Sequence, residues 1–213
     1  MVIHTDGACL GNPGPGGYGV ILSYRGRRKE LAGGYRLTTN NRMELMAAIA
    51  GLEAVKPGYD VTVHSDSRYV VDAMTKGWAL RWQAKGWMRN RKDRAENADL
   101  WERLLELCRC RSVRFLWEPG HAGHPENERC DALAVAAARA SDQAVDVGYE
   151  RDSHRAGSGR PPGCWHSRAP AAPRPPRQPA ASLPPLRGPG PGLTAPAPWP
   201  AAQPAARVHP LPV

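Results

Sequence analysis

The pattern of apolar and polar positions predicts both strands and helices in the first 141 residues. Short runs rich in β-branched and aromatic residues predict strands, and glycine or proline turns separate the first three, as in an antiparallel meander. Apolar residues at helical spacing, such as Leu45, Ile49 and Leu52, predict helices. The predicted strands cover residues 3–6, 18–24, 28–37, 61–65 and 112–117, and the predicted helices cover residues 39–56, 67–75, 99–108 and 125–140.

The order of these elements predicts how the first and fourth strands pair. The helix at 39–56 lies between them, and a strand–helix–strand connection within one sheet is a right-handed parallel crossover. Strands 3–6 and 61–65 should therefore run side by side, with their carboxyl ends at the same edge of the sheet.

A glycine motif near the start offers a different interpretation, which the pattern excludes. Gly14, Gly16 and Gly19 match the G-x-G-x-x-G spacing of a dinucleotide site. That motif requires a helix directly after the glycines. The apolar run at 18–24 predicts a strand there, so we reject a dinucleotide-binding function.

The composition changes abruptly after Ser141. Of the 22 prolines in the chain, 17 follow that residue, together with alanine, glycine and arginine. Such a segment lacks the apolar content to fold alone. We therefore expect a folded domain at 1–141 and a disordered tail at 142–213. A ligand for a proline-recognition domain and the product of a shifted reading frame both stay open as explanations of the tail.

Positive charge is concentrated in one segment of the predicted domain. Residues 76–94 contain seven basic residues and one acid, and the rest of the domain is close to neutral. Trp78 and Trp82 are one helical turn apart among these cations, which include Lys85 and Arg89. Indole rings beside cations suit stacking on bases or sugars and contacts to phosphates. The alternative is a solvated helix docked by two tryptophans.

The five cysteines show no zinc-ligand spacing, and their number is odd. Free thiols in a reducing cytosol are the simplest explanation. No signal peptide and no apolar run long enough to cross a membrane is present in the sequence. We therefore expect a cytoplasmic protein without a membrane partner.

Four acidic residues stand out as candidates for a common site. Asp6 and Asp66 each end a predicted strand, Glu44 lies on the first helix, and Asp131 lies mid-helix without a basic residue one turn away. Clustered carboxylates repel one another, and hard divalent cations that prefer oxygen ligands relieve this repulsion. Two alternatives stay open: Glu44 as a partner in helix capping and Asp66 as an N-cap.

The loop at 119–124 contributes His121, which is either an ordinary surface histidine or a proton carrier beside the acids.

With these elements assembled, five motifs closely resemble bacterial type I ribonuclease H. They are Thr5-Asp6-Gly7, residues 11–19 (GNPGPGGYG), residues 39–45 (TNNRMEL), Ser65-Asp66-Ser67 and residues 120–131 (GHAGHPENERCD). The resemblance covers nearly all of 1–141 and none of the tail. It implies an α/β fold with a five-stranded mixed sheet, in which an antiparallel meander of strands 1–3 is followed by parallel strands 4 and 5. Helices should cover both faces of that sheet.

The resemblance also implies an activity: hydrolysis of the RNA strand of an RNA/DNA hybrid, giving 5′-phosphate and 3′-hydroxyl products. It implies two Mg²⁺ ions, with Mn²⁺ as a substitute, held by Asp6, Glu44, Asp66 and Asp131, and a role for His121 in proton transfer or product release. Backbone contacts to the hybrid would come from Cys9, Asn12, Asn40 and Asn41, phosphate contacts from Thr39 and Asn97, and DNA-strand binding from the basic segment. We expect a monomer that needs no protein partner. A catalytically silent hybrid-binding module and another nuclease or strand-transfer enzyme of the same superfamily are the alternatives.

Overall fold

The computed structural model describes residues 1–120 and 123–156. Its strands are β1 (Val2–Cys9), β2 (Gly14–Tyr24), β3 (Arg27–Thr38), β4 (Asp60–Ser65) and β5 (Ser112–Trp117). Its helices are α1 (Asn40–Glu53), α2 (Arg68–Thr75), α3 (Trp78–Ala84), α4 (Ala98–Arg109), α5 (Pro125–Arg139) and α6 (Val147–Ala156).

The strands form one five-stranded mixed sheet in the order β3-β2-β1-β4-β5. β1, β2 and β3 pair antiparallel, and β4 and β5 continue the sheet in parallel from β1. The predicted meander and the predicted parallel crossover are therefore confirmed. The motif glycines Gly14, Gly16 and Gly19 all lie in β2, so the prediction that a strand, and not a helix, follows these glycines is confirmed as well.

Helices pack on both faces of the sheet, as expected. On one face, α1 approaches β1 so closely that a Cβ on Gly51 would lie 2.8 Å from the Ile3 side chain. On the other face, α5 covers β1, β2 and β3. The apolar core lies mainly under α1 and α4, where Ile49, Leu52 and Trp101 are fully buried. The sheet is thus enclosed along its centre, which fixes the strand ends that carry the candidate residues.

The packed chain extends beyond Ser141, the boundary expected from composition. Ala144 forms a bridge with Tyr35 of β3, Asp146 is buried, and α6 follows. The apolar pattern did not reveal this because the segment is attached by backbone hydrogen bonds between Ala144 and β3 and by the buried Asp146 carboxylate, not by an apolar stripe. Residues 157–213 of the predicted tail lie outside the described residues, so the expected disorder there stays a prediction.

Within the described part of the chain, no helix has both the length and the apolar character required to cross a membrane. Cys9, Cys108, Cys110 and Cys130 are all free thiols, as the odd count and spacing suggested.

Candidate active site

The first carboxylate of the site is positioned by a close contact between β1 and α1. Asp6 lies in β1 with only 7% of its surface exposed, and the Gly7 amide donates a hydrogen bond to its Oδ1 at 2.7 Å. A Cβ on Gly7 would lie 2.4 Å from the backbone nitrogen of Glu44. Only glycine therefore lets α1 rest directly on β1 here, and this contact brings Glu44 to Asp6.

The parallel pairing of β1 and β4 brings the next carboxylate to the same edge of the sheet. Thr5 pairs with Ser65, so Asp6 and Asp66 occupy the next position on each chain. Carboxylate oxygens of Asp6, Glu44 and Asp66 lie within 4.8 Å of one another. Residues separated by up to 60 positions are thus gathered at one point, as the sequence predicted for these three acids.

Asp131 reaches the site through a second backbone contact, on the other face of the sheet. Gly19 pairs with Asp6 across β1 and β2, and a Cβ on Gly19 would lie 2.1 Å from the Cys130 carbonyl oxygen. The absence of a side chain at Gly19 lets α5 lie on the strand beside Asp6. Asp131 follows Cys130, and its charge helps to raise the pKa of Asp6, although it lies outside the trio within 4.8 Å.

The proximity and burial of these acids change their protonation. Burial, followed by the charges of Asp66 and Asp131, raises the pKa of Asp6 to about 8. Burial, followed by the charges of Asp6 and Asp66, raises the pKa of Glu44 well above its ordinary value. The protein therefore holds these groups in a conformation in which their charged forms are unfavourable without a counter-charge.

The structure decides against both capping alternatives. Thr39 is the N-cap of α1. A capping partner would lie within the first turn, and Glu44 lies beyond that turn. Ser67 is the N-cap of α2, and its hydroxyl accepts a hydrogen bond from the Val70 amide at 3.4 Å. Neither Glu44 nor Asp66 caps a helix, so both acids need another explanation.

The donor set fits a hard divalent cation. Glu44 accepts one weak hydrogen bond from Asn40 at 3.4 Å through Oε1, whereas its Oε2 is buried without a partner among the described residues. A buried oxygen without a hydrogen bond is costly. A cation bound by three carboxylates supplies the missing partner and neutralises their charge.

The histidine loop begins beside the same acids. A Cβ on Gly120 would lie 2.4 Å from Oδ2 of Asp66, so the loop backbone touches that carboxylate. His121 lies outside the described residues, and its role stays a prediction. After the loop, His124 is the N-cap of α5 and Pro125 is the first helical residue.

The residues expected to contact the hybrid backbone surround the start of α1. The Asn12 side chain accepts a hydrogen bond from the Asn40 amide at 3.2 Å, and Asn41 follows on the same turn. The Cys9 thiol lies 3.5 Å from the Gly14 carbonyl oxygen. Thr39 makes no side-chain capping hydrogen bond with the described residues, which leaves its hydroxyl group available for a ligand.

Asn97 lies close to the same helix turn. Its Oδ1 accepts a hydrogen bond from Arg42 at 3.4 Å, and its amide nitrogen donates to the Tyr69 hydroxyl at 3.1 Å. Asn97 adopts a left-handed backbone conformation at the start of α4, a conformation that asparagine tolerates better than most residues. The structure thus brings Asn97 next to Arg42 of α1, although the two residues are 55 positions apart in the sequence.

The basic segment forms an open cavity at the surface. The cavity has a volume of about 470 Å³, and Trp78, Trp82, Lys85 and Arg89 are among its lining residues. Trp82 packs edge-on against the buried Trp101, with ring centroids 5.9 Å apart. Trp78 and Trp82 attach the segment to the core and also line a concave, cationic surface. Their positions therefore agree both with a docked helix and with a surface that binds nucleic acid.

One buried network of charged residues was not predicted from the sequence. Arg42, only 2% exposed, makes bidentate contacts with Asp146 and with Asp99, each between 2.7 and 2.9 Å. Thr38 donates a hydrogen bond to the same Asp146 carboxylate at 2.7 Å. The network joins α1, α4 and the residue that precedes α6. The one signal in the sequence of α1 is Arg42 itself, a charged residue beside the apolar positions of that helix.

A mixed sheet that brings buried carboxylates together at the ends of its central strands fits the class of nucleases. The chain belongs to the RNase H family, whose model matches residues 1–139. It is 62% identical over 149 residues to Ribonuclease H of Syntrophus aciditrophicus, which covers 70% of this chain and 86% of that protein. It is 55% identical over 150 residues to Ribonuclease HI of a Synechocystis species, covering 70% of this chain and 94% of that protein.

A solved structure supports the same assignment. LC9-RNase H1, a type 1 RNase H with the type 2 active-site motif, is 36% identical with a TM-score of 0.58, covering 74% of this chain and 82% of that one. The resemblance to bacterial type I ribonuclease H, first inferred from five motifs, is confirmed.

Proposed function

We propose that the protein is an endoribonuclease that hydrolyses the RNA strand of RNA/DNA hybrids and leaves 5′-phosphate and 3′-hydroxyl ends. The observation that carries the proposal is the convergence of Asp6, Glu44 and Asp66 from three separate elements to within 4.8 Å. Membership of the RNase H family supports the choice of substrate. The convergence of the buried acids argues against a silent binding module, since contacts to the hybrid alone would not require it.

In this proposal, Asp6, Glu44, Asp66 and Asp131 hold two Mg²⁺ ions, for which Mn²⁺ can substitute. When bound by these carboxylates, the ions would supply activation of the attacking water and stabilisation of the leaving oxygen. The protein contributes the rigid placement of the carboxylates, because the Gly7 and Gly19 contacts fix α1 and α5 against β1. His121 follows the loop residue that touches Asp66, so we assign it the transfer of a proton or the release of product.

Substrate binding is divided between two surfaces. Cys9, Asn12, Thr39, Asn40, Asn41 and Asn97 surround the start of α1 and offer polar atoms to sugars and phosphates. The cavity lined by Trp78, Trp82, Lys85 and Arg89 binds the DNA strand through phosphate contacts and stacking. The 2′-hydroxyl groups of the RNA strand provide discrimination against duplex DNA. We further propose a cytoplasmic monomer without an obligatory protein partner.

The deciding experiment compares four labelled substrates: an RNA/DNA hybrid, duplex DNA, duplex RNA and single-stranded RNA. We expect the full chain to cut only the RNA strand of the hybrid, in the presence of Mg²⁺ and not in excess chelator. Analysis of the product ends should give 5′-phosphates. Hybrid binding without cleavage would favour the silent module, and cleavage of duplex DNA would favour another nuclease of the superfamily.

A further inference from the structure

A second cluster of possible ligand atoms lies outside the carboxylate site. His4 of β1 pairs directly with His64 of β4, and their rings stack with centroids 4.8 Å apart and planes inclined by 27°. Glu118 follows β5, and its carboxylate approaches both rings. Its Oε1 is in short contact with Nδ1 of His64, and its Oε2 lies 3.6 Å from Nδ1 of His4. Three neighbouring chain segments thus direct one donor each towards a common point.

The geometry is close to that of a metal site. One ligand atom from each of His4, His64 and Glu118 lies within 4.8 Å of the others. In a tetrahedral zinc site with Zn–N distances of about 2.0–2.1 Å, ligand atoms are roughly 3.3 Å apart. The distance of 3.6 Å between Nδ1 of His4 and Oε2 of Glu118 is already near this value.

An unsatisfied polar atom provides an independent argument. Nδ1 of His4 is buried and has no hydrogen-bond partner among the described residues, although Glu118 faces it at ion-pair distance. With only this long contact to Glu118, the nitrogen is incompletely satisfied, and a metal ion would give it a close partner. The three side chains are 17–19% exposed, so an ion can enter from solvent.

We propose that His4, His64 and Glu118 form a binding site for Zn²⁺ or a similar borderline-soft cation. Two imidazole nitrogens and one carboxylate are a ligand set that zinc uses in proteins with a water at the fourth position, whereas Mg²⁺ prefers oxygen ligands alone. The chemistry of the donors therefore separates this site from the carboxylate site. The inference does not depend on the proposed function.

The site has a physical link to the acids. His4 precedes Asp6 by two residues on the same face of β1, a separation of roughly 6.6 Å along the strand. Glu118 precedes Gly120, whose backbone touches Asp66. A cation held here places positive charge beside Asp6 and fixes the start of the histidine loop.

Co²⁺ provides the direct test, because it absorbs visible light much more strongly in nitrogen-containing sites of low coordination number than in oxygen-only octahedral ones. The full-length protein is titrated with Co²⁺ in a large excess of Mg²⁺, which occupies the carboxylate site. We expect a visible band that saturates at one Co²⁺ per chain and disappears when Zn²⁺ is added. His4→Phe, which retains a ring, and Glu118→Gln, which retains shape, should each weaken Co²⁺ binding at least tenfold.

Two controls separate the possible sources of the band. Asp66→Asn alters the carboxylate site and should leave the band unchanged, and His154→Gln removes an exposed histidine of α6 and should do the same. Circular dichroism checks the fold of each variant, and Glu118→Gln decides if His4→Phe does not fold. The proposal is overturned if no band forms, if Glu118→Gln keeps the wild-type affinity, or if Asp66→Asn abolishes the band.

Discussion

At the scale of single residues, burying the charged forms of Asp6 and Glu44 costs free energy of folding, and a bound cation would offset that cost. An aspartate whose pKa is raised to about 8 in the folded protein, against 3.8 for the ordinary group, binds its proton more tightly when folded than when unfolded. The contribution of Asp6 to the stability of the metal-free protein is therefore most favourable below pH 4, and it declines as the pH rises from about 4 to 8.

We predict that Asp6→Asn raises the free energy of unfolding of the metal-free protein at pH 8 to 9. The amide keeps an oxygen to accept the Gly7 hydrogen bond but carries no charge. Since a tenfold change in a protonation equilibrium corresponds to about 1.4 kcal/mol, we expect a gain of about 1 kcal/mol or more. Denaturant unfolding in chelator at pH 5 and at pH 8.5 measures it, and the gain should be smaller at pH 5.

Asp72→Asn is the matched control, because Asp72 forms a surface pair with Lys76 and should give little change at either pH. Equal or lower stability of Asp6→Asn at pH 8.5 would show that the buried charge imposes no cost. Addition of Mg²⁺ should stabilise the wild type more than the Asp6→Asn variant.

We predict that Asp66→Asn abolishes cleavage while binding of the hybrid survives. The substitution removes one ligand charge at the site but leaves the cationic surface unchanged. Loss of a ligand that supports several kcal/mol of transition-state stabilisation reduces the rate by about two powers of ten or more. Single-turnover cleavage and a fluorescence binding assay measure the two effects, with Asp72→Asn again as the control. Full Mg²⁺-dependent turnover would remove Asp66 from the site.

Residue types alone predicted part of this chemistry. Asp131 was noticeable because nothing one helical turn away compensates it, and Asp6 and Asp66 were noticeable because each ends a strand. The pair of His4 and His64 became visible only with the register of β1 and β4. Glu118 is the ligand that no local pattern indicated, since His64, the nearer of its two partners along the chain, is 54 residues away.

At the scale of elements, backbone contacts at glycine determine how closely the helices approach the sheet. The absence of a side chain at Gly7 lets α1 pack against β1, and its absence at Gly19 lets α5 pack against β2. The two helices lie on opposite faces of these paired strands, in which Asp6 lies opposite Gly19. The sequence showed Gly7 and Gly19 only as members of short motifs and could not show what they contact. Which helix lies on which glycine depends on tertiary packing, which a local pattern does not contain.

The attachment of α6 leads to a prediction about truncation. We expect a chain that ends after Ser141 to lose about 1–3 kcal/mol of unfolding free energy, because the buried Arg42 loses the charged hydrogen bonds to Asp146. Asp99 remains to pair with Arg42, so folding should survive. A chain that ends after Ala156 keeps the network and should match the full-length protein in denaturant unfolding.

Point variants separate the ion pair from the rest of the segment. Asp146→Asn in the full chain should reproduce part of the loss, whereas Asp142→Asn, at an exposed position of the same segment, should be neutral. Full stability of the chain that ends after Ser141 would mean that residues 142–156 contribute nothing to the folded unit.

At the scale of the whole molecule, the family and the sheet order were predictable because motifs and element order agree along the chain. The packing of the residues just after Ser141 was not, since the composition already changes at residue 142, before α6 begins at Val147. Composition indicates where the apolar periodicity ends. Residues 144 and 146 pack beyond that point through polar contacts, which composition does not predict.

The uneven distribution of charge gives the last prediction, which concerns how binding responds to salt. Neutralising Lys85, Arg89 and Arg91 together to glutamine should weaken hybrid binding most at low salt, because a phosphate that is no longer neutralised by the protein keeps its counterion. The slope of log affinity against log salt concentration should become shallower by up to about 0.9 for each such phosphate. The ratio of variant to wild-type dissociation constants should therefore shrink as salt rises.

The measurement is made in the Asp66→Asn background, so that no substrate is consumed. Neutralising Arg25, Lys56 and Arg109, which lie outside the basic segment, provides a control with the same change in net charge. Equal salt slopes for the two triple variants would show that overall charge, and not the basic segment, controls binding.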